Sequence, residues 1–136
     1  MNNYSDLQDI DPNINIVIEL SMIGSPDFSL YVGDNHWDNQ LSINVKQHLL
    51  TPFDIVIALR NKHYTTEYET AVIINRLSVD NIELVPQYDY LADYQNDHNN
   101  NDPTSYLGFN GQWTLAINRP FYQWLHQAQA QGWLLS

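Results

Sequence analysis

Apolar and polar residues alternate with a period of two through most of the first ninety positions. In NINIVIELS, Ile14, Ile16, Ile18 and Leu20 fall on one side of an extended chain and mostly polar residues on the other, the pattern of a half-buried strand. FSLYVG repeats it with Phe28, Leu30 and Val32 and ends at Gly33 in the turn-rich stretch GDNHWDNQ. LSINVKQ continues with Leu41, Ile43 and Val45. After Thr51-Pro52, FDIVIALRN directs Phe53, Ile55, Ile57 and Leu59 inward, and Val56 and Ala58 imply a second, partly covered face. TAVIINRLSV and NIELVP add two more extended runs, joined through Asp80-Asn81, a pair suited to a tight turn. Strands this closely spaced, with no helical period between them, predict an antiparallel β-sandwich, jelly-roll-like, rather than alternating β and α elements.

The pattern then changes. Residues 87–110 read as a long polar loop, rich in Asp and Asn, with Tyr88, Tyr90, Tyr94 and Tyr106 as anchors. GQWTLAIN resumes the alternation with Trp113, Leu115 and Ile117, a closing strand. The chain then predicts one C-terminal α-helix over 119–131, with Asn118 as cap, Pro120 in the first turn and Gly132 as stop. Phe121, Trp124, Leu125 and Ala128 share its apolar face, and Trp133-Leu134-Leu135 should dock back onto the domain. The first 13 residues read as a flexible N-terminus. At 136 residues the chain fits one domain, 1–136.

Composition narrows the function. Hydrophobic residues make up 43% of the chain, enough for a core. The net charge of −11, from sixteen acids and only five bases, repels phosphate backbones and anionic membranes, so neither nucleic acid nor membrane is an expected partner. Without cysteine there are no disulfides, thiolate nucleophiles or zinc-thiolate sites. No signal-like segment opens the sequence and no apolar run is long enough to span a bilayer, so a cytoplasmic location is the default, though an excised domain of a secreted protein reads the same.

Candidate chemistry is confined to the connections. Asp97, Asn99 and Asn101 have the spacing with which an EF-hand opens, but Asp102 stands where the turn glycine belongs and no glutamate follows at the twelfth position. A looser calcium site from Asp93, Asp97 and Asp102 remains a candidate. The five histidines show no metal-binding spacing, and no nucleophile elbow or glycine-rich phosphate loop occurs, so no catalytic residue is nominated. The four Trp and nine Tyr say more. Trp37, Tyr64 and Tyr68 fall in connections beside Asn61, Glu67 and Glu69. Flat rings can cover the C–H face of a pyranose while carboxylates and amides bond its hydroxyls.

The segment RNKHYTTEYETAVIINRLSVDNIEL, Arg60 to Leu84, together with FSLYVG, resembles the calcium-dependent xylan-binding type of carbohydrate-binding module. In those β-sandwiches a short acidic loop leads into a long strand ending in a Val-Asp-x-Ile-like turn. Here Asn61 begins the loop, Glu67 and Glu69 precede Thr70, and Val79-Asp80-Asn81-Ile82 forms the ending. The resemblance implies a non-catalytic module that binds carbohydrate, with Ca2+ as a cofactor held by Asn61, Glu67 or Glu69. The competing expectation is a structural or protein-interaction module, a small subunit or homo-oligomer, using the apolar C-terminal helix and tail.

Overall fold

A computed structural model describes residues 12–60, 69–85, 87–88, 91–98 and 105–135, with the side chains of 131–135 left aside. Among the described residues ten strands precede one helix: β1 Asn13–Ile23, β2 Asp27–Val32, β3 Asn35–Asp38, β4 Ser42–His48, β5 Phe53–Arg60, β6 Ala71–Val79, β7 Ile82–Glu83, β8 Asp93–Asn96, β9 Tyr106–Leu107, β10 Gly111–Ile117 and α1 Phe121–Leu135. They build two antiparallel sheets. Sheet A runs β4-β1-β6-β7, with β9 also pairing with β6; sheet B runs β3-β2-β5-β10-β8. The protein is thus mostly β, a two-sheet sandwich with a C-terminal helix, as the alternation predicts.

Each inner face is supplied by one phase of that alternation. Ile14, Ile16, Ile18 and Leu20 of β1, Phe28, Leu30 and Val32 of β2, and Phe53, Ile55, Ile57 and Leu59 of β5 are all buried. Trp113, 1% exposed, is among the largest side chains sealed between the sheets. Burying each aliphatic or aromatic side chain contributes about 1.5–3 kcal/mol, which makes this core the dominant stabilising term.

Two hairpins set the register. Gly33 takes φ 57° at the first central position between β2 and β3, where a two-residue turn of the primed kind requires a positive φ. Asp80 and Asn81 take φ 49° and 66° between β6 and β7, so the predicted tight turn forms. Asp80 also closes onto β1, its Oδ1 accepting from the Asn15 amide at 2.8 Å.

Three boundaries differ from the sequence reading. NIELVP supplies only the two residues of β7 to the sheet edge before Leu84 and Val85 turn into the core. The stretch 87–110 is not simply a loop: β8 adds to the edge of sheet B and β9 to sheet A. Tyr94 of β8 is 5% exposed, its hydroxyl donating to the Phe109 carbonyl at 2.6 Å and accepting from the Phe109 amide at 3.0 Å. The helix starts at Phe121 and runs through Gly132 to Leu135. Pro120 is the cap position, its carbonyl accepting from the Trp124 amide at 3.0 Å, so Asn118 lies two residues too early to cap. A helical glycine costs only about 1 kcal/mol relative to alanine, too little to end a helix that Trp133, Leu134 and Leu135 continue.

The described apolar face of α1 closes one end of the sandwich. Phe121, Trp124, Leu125 and Ala128 are buried, and Tyr88 meets Trp124 edge-on at 6.1 Å. Among the described residues no helix is long and apolar enough to cross a membrane.

Candidate functional site

The same register that fills the core lays out the outer face of sheet B. One row across the five strands reads Asp38, Ser29, Ala58, Gln112, Gln95, and the next reads His36, Tyr31, Val56, Thr114, Asp93. With strands about 4.8 Å apart, the platform is about 19 Å wide. Val56 and Thr114, half-buried, and Ala58 form its floor. On one side Tyr31 and His36 stack as a cross-strand pair, ring centroids 4.6 Å apart and planes 8° from parallel. On the other, Gln112, Gln95 and Asp93 are exposed, with Gln95 Nε2 donating to Asp93 Oδ2 at 2.7 Å.

A charged network ties down the upper corner of this face. Arg60 donates from NH2 to Asp27 Oδ1 at 3.0 Å and from NH1 to Ser29 Oγ. Ser29 in turn donates to Asp38 Oδ1 at 2.6 Å, and His36 Nε2 meets the same oxygen at 2.9 Å. The Ser29 hydrogen bond, with His36 and Arg60 nearby, holds the Asp38 carboxyl below its usual range; the bond to Asp27 raises Arg60 further. Ser29 is 0% exposed, and its hydroxyl is engaged as both donor and acceptor. That arrangement orders β2, β3 and β5 against one another; it leaves Ser29 no approach to a substrate.

At the same end lie the described residues that flank the connections. Tyr106 donates to Glu69 Oε1 at 2.9 Å, and burial, then the Glu69 bond, raise the phenol above its usual range. Phe109 stacks on His98 at 4.1 Å, and His98 Nδ1 lies 2.8 Å from Asp97 Oδ1. Arg60 and Glu69 bracket the 61–68 connection.

Four of the sequence-predicted site residues are described, and each has its own setting. Trp37 sits on the inner phase of β3, opposite Leu30, half-buried against the core rather than displayed in a loop. Glu69 is exposed at the rim. Asp93 belongs to the outer face of sheet B, and Asp97 follows just beyond β8. Asn61, Tyr64, Glu67, Tyr68 and Asp102 lie outside the described residues. A calcium ion takes six to eight oxygens, and among the described residues no three His, Asp or Glu converge on one point.

No family model matches the chain, and no curated protein matches it. A solved structure does. The selenomethionine form of vCBM60, from work linking two families of calcium-dependent carbohydrate-binding modules by circular permutation, superposes with a TM-score of 0.50 at 16% identity. The match covers 76% of this chain and 90% of that one. At that identity the likeness speaks for the fold: this chain shares the sandwich of such a module, as the resemblance over Arg60 to Leu84 implies.

Tyr31, His36, Asp38, Arg60 and Thr114 are not among the residues nominated from the sequence, because they lie within strands rather than in connections. Their signal is present nonetheless. In FSLYV and NHWD the residues out of phase with the core are Ser29, Tyr31, His36 and Asp38, an unusually ring-bearing and polar outward set.

Proposed function

We propose that this protein is a non-catalytic carbohydrate-binding module whose ligand lies across the outer face of sheet B. The observation that carries this reading is the Tyr31–His36 ring pair standing beside a floor of Val56, Ala58 and Thr114, with Gln112, Gln95 and Asp93 opposite. The exposed ring edges and faces suit the C–H surface of a sugar, and the amides and carboxylate suit its hydroxyls. The Arg60 network makes the wall rigid before the ligand arrives, which lowers the ordering cost of binding. The solved module with the same sandwich is itself calcium-dependent and carbohydrate-binding, which adds support.

Glu69 extends this surface at its upper end, with Trp37 supporting the edge from the core side; Asn61, Tyr64, Glu67 and Tyr68, outside the described residues, belong to the proposed ligand contacts. Ca2+ enters this proposal through Asp93, Asp97 and Asp102, two of which lie on or next to β8. Calorimetry with a panel of neutral oligosaccharides, in calcium and in EDTA, tests the reading. Tyr31→Ala should weaken binding by about tenfold or more, whereas Glu69→Gln should weaken it less. Wild-type protein that binds none of the panel in either buffer would sink the proposal. Binding unaffected by Tyr31→Ala but lost in Glu69→Gln would move the site to the connections.

A further inference from the structure

The chain holds five Lys and Arg against sixteen Asp and Glu, so its cations sit in a strongly acidic field. Arg60 is paired with Asp27 and Asp38, and Arg76 with Glu83 at 2.9 Å. Arg119 differs. Among the described residues it forms no ion pair, and its hydrogen bond runs from Nε to Asn118 Oδ1 at 3.4 Å.

Arg119 stands where two clefts beside α1 meet. One, of about 310 Å³, is bounded by Leu91, Ala116 and Trp124 on its apolar side and by Asn118, Arg119 and Gln127 on its polar side. The other, of about 450 Å³, is bounded by Arg119, Tyr122, Gln123, His126 and Gln127. Both lie within the range of roughly 300–1,000 Å³ typical of small-ligand sites. Among the described residues no carboxylate lines either, and the first turn of α1 carries no acid. Among the described residues, two acids stand close by: Asp54, opposite Ala116 on β5, and Asp80, whose Oδ2 accepts from Tyr122 at 2.8 Å.

We propose that this paired cleft is a second binding site, for a carboxylate-bearing sugar: a uronic acid residue with its carboxylate on the Arg119 guanidinium. A guanidinium presents a planar fork of donors that matches a carboxylate bidentately. Leu91, Ala116 and the edge of Trp124 that lines the cleft take the C–H face of the ring, and the Asn118 and Gln127 amides bond its hydroxyls. Asp54 and Asp80, each partnering a lining residue, oppose an anion here, so the preference rests on the bidentate fork of Arg119 rather than on net charge. The sugar part of this inference rests on the carbohydrate reading above; carboxylate recognition at Arg119 does not.

The test is titration of the whole chain with sodium glucuronate, glucose and sodium acetate, followed by NMR or calorimetry. Glucuronate should bind at least tenfold tighter than either of the others, and Arg119→Gln should remove that preference. Arg119→Lys, which keeps the charge without the fork, should retain only part of it. Neutral oligosaccharide binding at Tyr31 and the melting temperature should be unchanged in both variants. Equal binding of glucose and glucuronate, or a preference that survives Arg119→Gln, overturns the proposal. Acetate binding as tightly as glucuronate overturns the uronate assignment in favour of a site for small free carboxylates. If neutral sugars fail to bind while the Arg119-dependent glucuronate preference stands, the sheet B reading falls and this one remains.

Discussion

Two serines are the buried polar side chains among the described residues, one on each sheet, and their surroundings differ. Ser29 on β2 is 0% exposed and Ser78 on β6 is 1% exposed, each in the outward phase of its strand. Ser29 is bonded on both sides, by Arg60 and to Asp38. The Ser78 hydroxyl has no hydrogen-bond partner among the described residues. Around Ser29 lie the Tyr31–His36 stack and a second ion pair; in the strand registers around Ser78 lie Val17, Glu83 and the ordinary Arg76–Glu83 pair. Both faces come from the same alternation of apolar and polar residues. On sheet B the outward side chains are joined in one network across β2, β3 and β5, whereas sheet A has isolated pairs, and a fixed polar surface is what ligand recognition requires.

The largest effect should come from detaching the far wall of that surface. Gly111 has φ 154° where β10 meets β8, and a Cβ there would lie 2.1 Å from the Gln95 carbonyl oxygen. Because the obstacle is backbone, no side-chain rotation relieves it. Gly111→Ala should therefore cost about 3 kcal/mol and lower Tm by roughly 10 °C. It should also displace Gln95 and Asp93 from the outer face, weakening any ligand held there. A variant with wild-type Tm would show that β8 yields freely and that this wall is not fixed.

Tyr31 offers the next contrast. Truncating it to Ala should reduce sugar affinity about tenfold, ~1.4 kcal/mol, by calorimetry. The matching change on sheet A, Asn44→Ala on the exposed face of β4, should leave affinity unchanged. Equal losses from both would erase the distinction between the two faces.

How much of this could be read from the chain depends on strand length. β1, β2, β5 and β10 are long enough for period two to assign every inward residue correctly. β8 has four residues and β9 two, and an edge strand that short is defined by its partner rather than by its own pattern. Trp37 shows the other limit. As a ring in GDNHWDNQ it reads as a loop residue, yet the hairpin register places Tyr31 opposite His36 and so Trp37 opposite Leu30, on the core side. Pairing across strands is not written in either strand alone, which is why the Arg60 network, joining positions 27, 29, 38 and 60, was invisible in the sequence. The single resemblance over Arg60 to Leu84 pointed to the fold without locating the surface.

Ser29→Ala should cost about 1 kcal/mol by denaturant unfolding, since Arg60 and Asp38 lose their shared partner but retain access to water. The same network predicts an acid-side slope. Asp38 is held below its ordinary value, so the folded state favours its charged form. The resulting contribution is complete above the ordinary carboxylate pKa of about 3.9 and disappears as the pH falls through the lower folded value. Asp38→Asn should flatten stability against pH below about 4, and Ser29→Ala should flatten it in part. A wild-type slope in both variants would show that the network does not hold the carboxylate.

The smallest effect should also reverse sign. The Ser78 hydroxyl is withdrawn from water without a hydrogen bond in return, so its burial carries a desolvation cost that nothing offsets. Alanine removes the oxygen and leaves a void smaller than a methylene group. Ser78→Ala should therefore stabilise the fold by up to about 1 kcal/mol, read as a higher denaturant midpoint with an unchanged slope. Because Ser29→Ala is expected to destabilise by a similar amount, the pair forms a matched experiment on one substitution in two settings. If both variants lose stability, Ser78 is satisfied in solution, and the two sheets differ in their rings and ion pairs but not in how they treat a buried hydroxyl.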